Sequence, residues 1–208
     1  MAEFTLHCFY ESGNAFKAAM MLELSGCDWQ PLFVDFMHGK TREPEWRASV
    51  NEMGEAPVLE HAGKRLSQSG VILDYLAEVT GKFGPENDDE RREILRWILF
   101  DNHKFTSYWA TLRFLYGIQK TGETPVTEFL RQRARGAYAV VDKHLETSDF
   151  LLGSRPTIAD FSLAGYAFYP EETGIDRAAE FPAVEAWVGR IGNLPGWKSP
   201  AELMPKTA

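Results

Sequence analysis

The sequence is poor in cysteine, in positive charge and in long apolar runs, and each shortage excludes something. Its two cysteines, Cys8 and Cys27, form no Cys-x-x-Cys pair. That leaves neither a disulfide framework nor a dithiol redox motif. Lys and Arg number 22 against 30 Asp and Glu, a net charge of −8, with no basic run. Nucleic acid and anionic membranes are therefore not expected as partners. No apolar run reaches spanning length, so no membrane helix is expected. Met1 to Tyr10 has no basic n-region and no long apolar h-region, so no signal peptide is expected and a cytoplasmic location is the default. The five histidines show no HExxH or similar spacing, and no glycine-rich phosphate loop occurs. Neither a metal nor a nucleotide is expected. Internal repeats and low-complexity segments are also missing.

What is present is enough for a large core: 208 residues, 44% of them hydrophobic. The chain changes character near residue 82. Before it, strands and helices alternate. Phe4, Leu6, Cys8 and Tyr10 alternate with Thr5, His7 and Phe9, which reads as a strand. Ser12-Gly13-Asn14 breaks it. Ala15 to Ser25 has helical composition, with Gly26 as a suitable stop. Leu32, Val34 and Phe36 read as a second strand. A polar segment from His38 to Glu55 follows. Pro57 to Glu60 and Lys64 to Ser67 read as two strands joined by a turn at His61-Ala62-Gly63, and a helix runs from Ser69 to Gly81. The order β-α-β-loop-β-β-α implies a parallel pair extended by an antiparallel hairpin. Lys82 to Asn87 is a linker rich in breakers. Beyond it the pattern is helical only, over Asp88 to about Gln119, Pro125 to about Thr147, Thr157 to about Phe168 and Pro182 to about Gly192. The segment from Tyr169 to Arg177 separates the last two. The expected architecture is an α/β domain over 1–81, a linker over 82–87 and an all-α bundle over 88–208.

Two motifs stand out. In Ala56-Pro57-Val58-Leu59 a proline opens an apolar strand, where it has no N–H for the ladder. A cis bond there would turn the neighbouring backbone outward. Val58 is then expected to offer its N–H and C=O to an extended peptide. Downstream, Gln68-Ser69-Gly70 leads into a helix, which puts Ser69 at an N-terminus suited to a carboxylate. The second motif, Thr157-Ile158-Ala159-Asp160, reads as a capping box. It should be worth about 1–2 kcal/mol and carry no catalytic role.

Taken in order, Ser12 to Lys17, Asn51 to Leu59, Gln68 to Leu76, Thr157 to Asp160 and Phe181-Pro182-Ala183-Val184 resemble the cytosolic glutathione transferases over nearly the whole chain. The resemblance implies a thioredoxin-like N-terminal domain that binds glutathione, and a helical C-terminal domain carrying an electrophile pocket. It implies that Val58 pairs with the cysteinyl backbone of glutathione, and that Gln68 and Ser69 hold its γ-glutamyl end. Gln68 stands where many bacterial members have Glu, and so brings no charge to the substrate ammonium. Asp101 is implied as a ligand for that ammonium in a neighbouring subunit, within a homodimer. The Ser-x-Asn pattern followed by an aromatic residue and Lys is similar to the bacterial nu class, with Ser in place of Thr and Gly13 in place of Pro.

A thiol of ordinary pKa, about 8.5, is little ionised at neutral pH. Lowering it by about two units takes roughly 2.7 kcal/mol of preference for the thiolate. A helix N-terminus and one or two aimed donors suffice. The turn after the first strand holds no cysteine, so the thiolate must come from the substrate. Ser12 and Asn14 are the donors in reach, with Tyr10 as a rival. For the glycyl carboxylate the cations are His38, Lys40, Arg42 and Arg47, with Lys40 and His38 favoured. Tyr108 and Trp109 are the choices for the electrophile pocket. The reading is a detoxifying glutathione transferase, in which the glutathione thiolate attacks a small hydrophobic electrophile. The alternatives are a glutathione-dependent disulfide reductase or peroxidase, and a transferase-fold binding protein without turnover.

Overall fold

The computed structural model describes residues 2–169 and 173–206. The chain forms two units, one from residues 1–84 with 194–208 and the other from residues 85–193. The last stretch therefore returns to the first unit, which a reading along the chain assigns to the second. Met204 is buried there, and the N–H of Tyr10 donates to the Pro205 carbonyl at 2.9 Å.

The first unit is built on a four-stranded sheet in the order β2-β1-β3-β4. Strand β1 (Phe4–Cys8) runs parallel to β2 (Trp29–Phe33) and antiparallel to β3 (Val58–His61), which pairs antiparallel with β4 (Lys64–Ser67). β2 lies three residues earlier in the chain than Leu32, Val34 and Phe36 suggest, starting at Trp29 and ending at Phe33. It tolerates Pro31 because it is an edge strand, where a missing N–H costs no ladder bond. The β3–β4 turn has left-handed backbone at both Ala62 (φ 48°) and Gly63 (φ 75°), the geometry that matches the twist of a tight hairpin. Helices α1 (Gly13–Leu24) and α3 (Ser69–Thr80) pack on each other. A short helix α2 (Pro44–Ser49) sends Trp46 into a cluster with Phe9, Val34 and Val58.

In the second unit, α4 (Asp88–Phe100) starts at Asn87, whose side chain accepts from the N–H groups of Asp89 and Glu90, both at 3.0 Å. Three acidic residues fill its first turn, which suits the positive end of the helix dipole. The winding loosens to π over Asp101–Phe105, tightens as α5 (Thr106–Leu112) and loosens again over Arg113–Ile118. Then come α6 (Pro125–Leu145), α7 (Ile158–Ala164), α8 (Arg177–Glu180) and α9 (Pro182–Gly192). A final turn, α10 (Pro200–Leu203), belongs to the first unit. Part of the expected connection from Tyr169 to Arg177 lies outside the described residues. The bundle core is aromatic: Tyr138 stacks on Phe105 and Trp109, with centroids 4.3 and 4.7 Å away.

The Thr157 box is present in both directions, with Asp160 Oδ2 accepting from the Thr157 N–H at 2.8 Å. Asp160 does more than the motif implies. Its Oδ1 also accepts from the Leu151 N–H and from Trp187 Nε1, each at 2.9 Å. Among the described residues no helix is long and apolar enough to cross a membrane.

Candidate active site

The sheet register brings three separate stretches to one place. His7, Val58 and Ser67 form the last rung across β1, β3 and β4. From that rung β1 leaves toward Ser12, β3 is entered through Pro57, and β4 leaves into Gln68 and Ser69. Residues dozens of positions apart thus share one end of the sheet.

At the first corner, Ser12 caps α1: its Oγ accepts from the Ala15 N–H at 3.1 Å. The cap uses a lone pair and leaves the hydroxyl proton available to a further acceptor. Asn14 follows on the first turn, with a buried Oδ1 that has no hydrogen-bond partner among the described residues. Tyr10 lies beyond the end of β1, and the Lys206 ammonium sits over its ring at 4.4 Å. Cys8 is fully buried on β1, and burial pushes its thiol up to about 12. A thiol so protonated is inert.

At the second corner the Ala56–Pro57 bond is cis. Val58 does not offer a free backbone edge. It begins β3 in the interior of the sheet, flanked by His7 and Ser67, and is 1% exposed. The outward edge belongs instead to Ala56, which precedes the proline and whose N–H and C=O make no hydrogen bond among the described residues. The rule that a residue before proline is held extended is the sequence signal that points to Ala56. Asn51 braces this loop, donating from Nδ2 to the Glu55 carbonyl at 3.1 Å and accepting from the Met53 N–H at 3.1 Å.

At the third corner Gln68 holds a left-handed φ of 67° and gives α3 no side-chain cap. Its Nε2 donates to Glu55 Oε2 at 2.6 Å. Ser69, the first residue of α3, is buried, and its hydroxyl has no partner among the described residues. The first-turn N–H groups of α3 therefore lack a cap from their own chain.

The loop cations divide into two pairs. Lys40 is bonded to Glu43 at 2.6 Å, and His38 to Asp35 at 2.7 Å. The Glu43 hydrogen bond raises the Lys40 pKa. Arg42 and Arg47 have no carboxylate partner among the described residues. Arg47 lies across Gly54, where a Cβ would come within 2.6 Å of its Nη2. With φ at +69° as well, position 54 favours glycine, and the Arg47 guanidinium that lies there donates from Nη1 to the Glu52 carbonyl at 3.3 Å in the loop that leads to Ala56.

Two residues assigned to ligands from the sequence lie in the bundle core. Trp109 is fully buried against Tyr138, so it packs rather than lines a pocket; Tyr108 is half-buried. Asp101 is fully buried and accepts from the Thr106 and Ser162 hydroxyls, at 2.5 and 2.7 Å. A carboxylate so enclosed is not placed to meet a neighbour's ligand. Helical periodicity alone does not tell these inward positions from outward ones. No group of His, Cys, Asp and Glu that could hold a metal occurs among the described residues.

Comparison with known proteins agrees with this arrangement. Residues 2–78 match the family described as "Glutathione S-transferase, N-terminal domain", and residues 107–195 match "Glutathione S-transferase, C-terminal domain". The disulfide-bond oxidoreductase YfcG of Escherichia coli is 30% identical, over 90% of this chain and 89% of its own length. A glutathione S-transferase from Pseudomonas fluorescens superposes with a TM-score of 0.90 at 29% identity, covering 96% of this chain and 99% of that one. One from Xanthobacter autotrophicus gives 0.86 at 31%, covering 96% and 98%. With both halves matched and relatives of about 30% identity covering nearly the whole chain, the chain belongs to the cytosolic glutathione S-transferase family.

Proposed function

We propose that the protein is a glutathione transferase whose three corners take the three parts of the tripeptide. The observation that carries this reading is the set of unmet polar groups at one end of the sheet. The first turn of α3 and the Ser69 hydroxyl take the γ-glutamyl carboxylate, with Gln68 beside it. The N–H and C=O of Ala56 take the cysteinyl backbone as an added strand. The thiol then meets the N-terminus of α1, with the Ser12 hydroxyl and the Asn14 amide as donors. A helix dipole and two donors aimed at sulfur are of the size needed to move a thiol pKa by about two units. The thiolate attacks an electrophilic carbon, a carbon–sulfur bond forms, and the leaving group departs with its electron pair. Arg47 takes the glycyl carboxylate in preference to Lys40 and His38, which are already bonded to Glu43 and Asp35. The active species is a homodimer of the nu-like kind, with the Ser-x-Asn pair at sulfur.

A second reading is favoured by the relative named as a disulfide-bond oxidoreductase. In it the same thiolate attacks a disulfide sulfur, and a second glutathione completes the reduction.

Calorimetric titration with glutathione and with glutathione disulfide, at pH values on either side of the thiol pKa, separates these readings. Glutathione binding with proton release supports the transferase. Tighter binding of the disulfide supports reduction. Binding of neither overturns both and leaves a binding protein of transferase fold.

A further inference from the structure

The γ-glutamyl end of glutathione is a zwitterion, and its ammonium needs a negative charge as its carboxylate needs donors. Gln68 is neutral. Asp101 is buried and held by two hydroxyls. The carboxylate that stands at the slot is Glu55. Its Oε2 lies 2.6 Å from Gln68 Nε2. Its own backbone carbonyl is fixed by Asn51 Nδ2 at 3.1 Å. It immediately precedes Ala56, the residue with the open backbone edge. Its side chain is exposed, and among the described residues no Lys, Arg or His pairs with it. Its side-chain partner among the described residues, the Gln68 amide, is neutral and brings no opposite charge.

We propose that Glu55 supplies the anion for the substrate ammonium. The charge that Gln68 lacks is thereby carried on the facing loop, and the slot selects peptides with a free amine. This assignment rests on the glutathione reading above. With its NH2 spent on Glu55, the Gln68 amide presents its oxygen as a second acceptor for the same ammonium. The carboxylate end of the zwitterion meets α3 and Ser69, and the ammonium end meets Glu55 and the Gln68 oxygen. The two loops act as a pair of jaws of opposite charge.

The test compares glutathione with glutaryl-cysteinyl-glycine, which is glutathione without its amine, by calorimetry. The wild-type protein should prefer glutathione by about tenfold or more, the size of one charge-assisted hydrogen bond. Glu55→Gln should bring that ratio close to one by weakening glutathione alone. The double variant Glu55→Gln with Gln68→Glu returns a single acid to the other jaw and should restore the preference. A loop damaged by the substitution would weaken both peptides equally, and that result overturns the assignment. So does a ratio left unchanged by Glu55→Gln. If the wild-type protein binds neither peptide, the glutathione reading itself falls, and the role of Glu55 with it.

Discussion

At the start of α7 every arm of the cap is met, whereas at the start of α3 almost none is. The first is closed by Thr157 and Asp160, and Asp160 accepts from two backbone N–H groups, one hydroxyl and one indole. The second has Gln68 in a left-handed conformation, no side-chain cap, and a Ser69 whose hydroxyl meets no partner among the described residues. Both are helix N-termini with the same dipole and the same orphan donors. One is completed by the chain and holds the fold together. The other is left for a ligand to complete, at a cost in backbone strain of about 1–2 kcal/mol at Gln68.

The closed end should yield the largest effect on stability. Asp160→Ala strips partners from the Leu151 N–H, the Thr157 N–H and Trp187 Nε1 inside the second unit. Leaving buried donors unmet costs about 1–3 kcal/mol each, and with relaxation the loss should be about 4 kcal/mol, read as a lower urea midpoint. Glutathione affinity of the molecules that remain folded should be unchanged. A small stability loss would mean that the box is not the keystone its four bonds suggest.

The open end should behave in the opposite sense. Ser69→Ala removes a hydroxyl that none of the described residues uses, so stability should change by less than about 0.5 kcal/mol. Glutathione binding should weaken about tenfold, as expected for a hydrogen bond to a charged group. A stability loss without an affinity loss would erase the contrast between the two ends.

The contrast also explains what could be read from the sequence. Local chemistry was legible: the proline at 57, the hairpin turn and the Thr157 box all involve residues within a few positions of one another. So was the sequence of strands and helices, because their periods differ. What was not legible depends on neighbours brought by the fold. Val58 looks like a free edge until β1 and β4 are placed on both sides of it, and Ala56 then takes its place. Trp109 and Asp101 share helical spacing with surface residues, and only the packing of α6 and α7 shows that they face inward. Lys40 and His38 look available until Glu43 and Asp35 are seen beside them. Arg47 gains its position from Gly54, a contact with no periodicity to announce it.

Ser12 belongs to both sides of the comparison, and so sharpens it with the smallest effects. Its Oγ accepts from Ala15 and closes α1 as a cap, while its proton is free for the substrate sulfur. Ser12→Ala should therefore cost about 1 kcal/mol of stability, as a lost cap does. It should also raise the pKa of the bound thiol by about one unit, or 1.4 kcal/mol. The sign follows from the species stabilised: a donor favours the thiolate, so its loss moves the acid limb of the kcat profile to higher pH, and turnover falls at neutral pH but recovers above the new pKa. Ser12→Thr should keep both the cap and the profile. A stability loss with an unmoved profile would make Ser12 a cap alone and pass the sulfur to Asn14, whose buried Oδ1 has no partner among the described residues. Such an amide can turn its NH2 toward a thiolate, because none of the described residues hydrogen-bonds its oxygen.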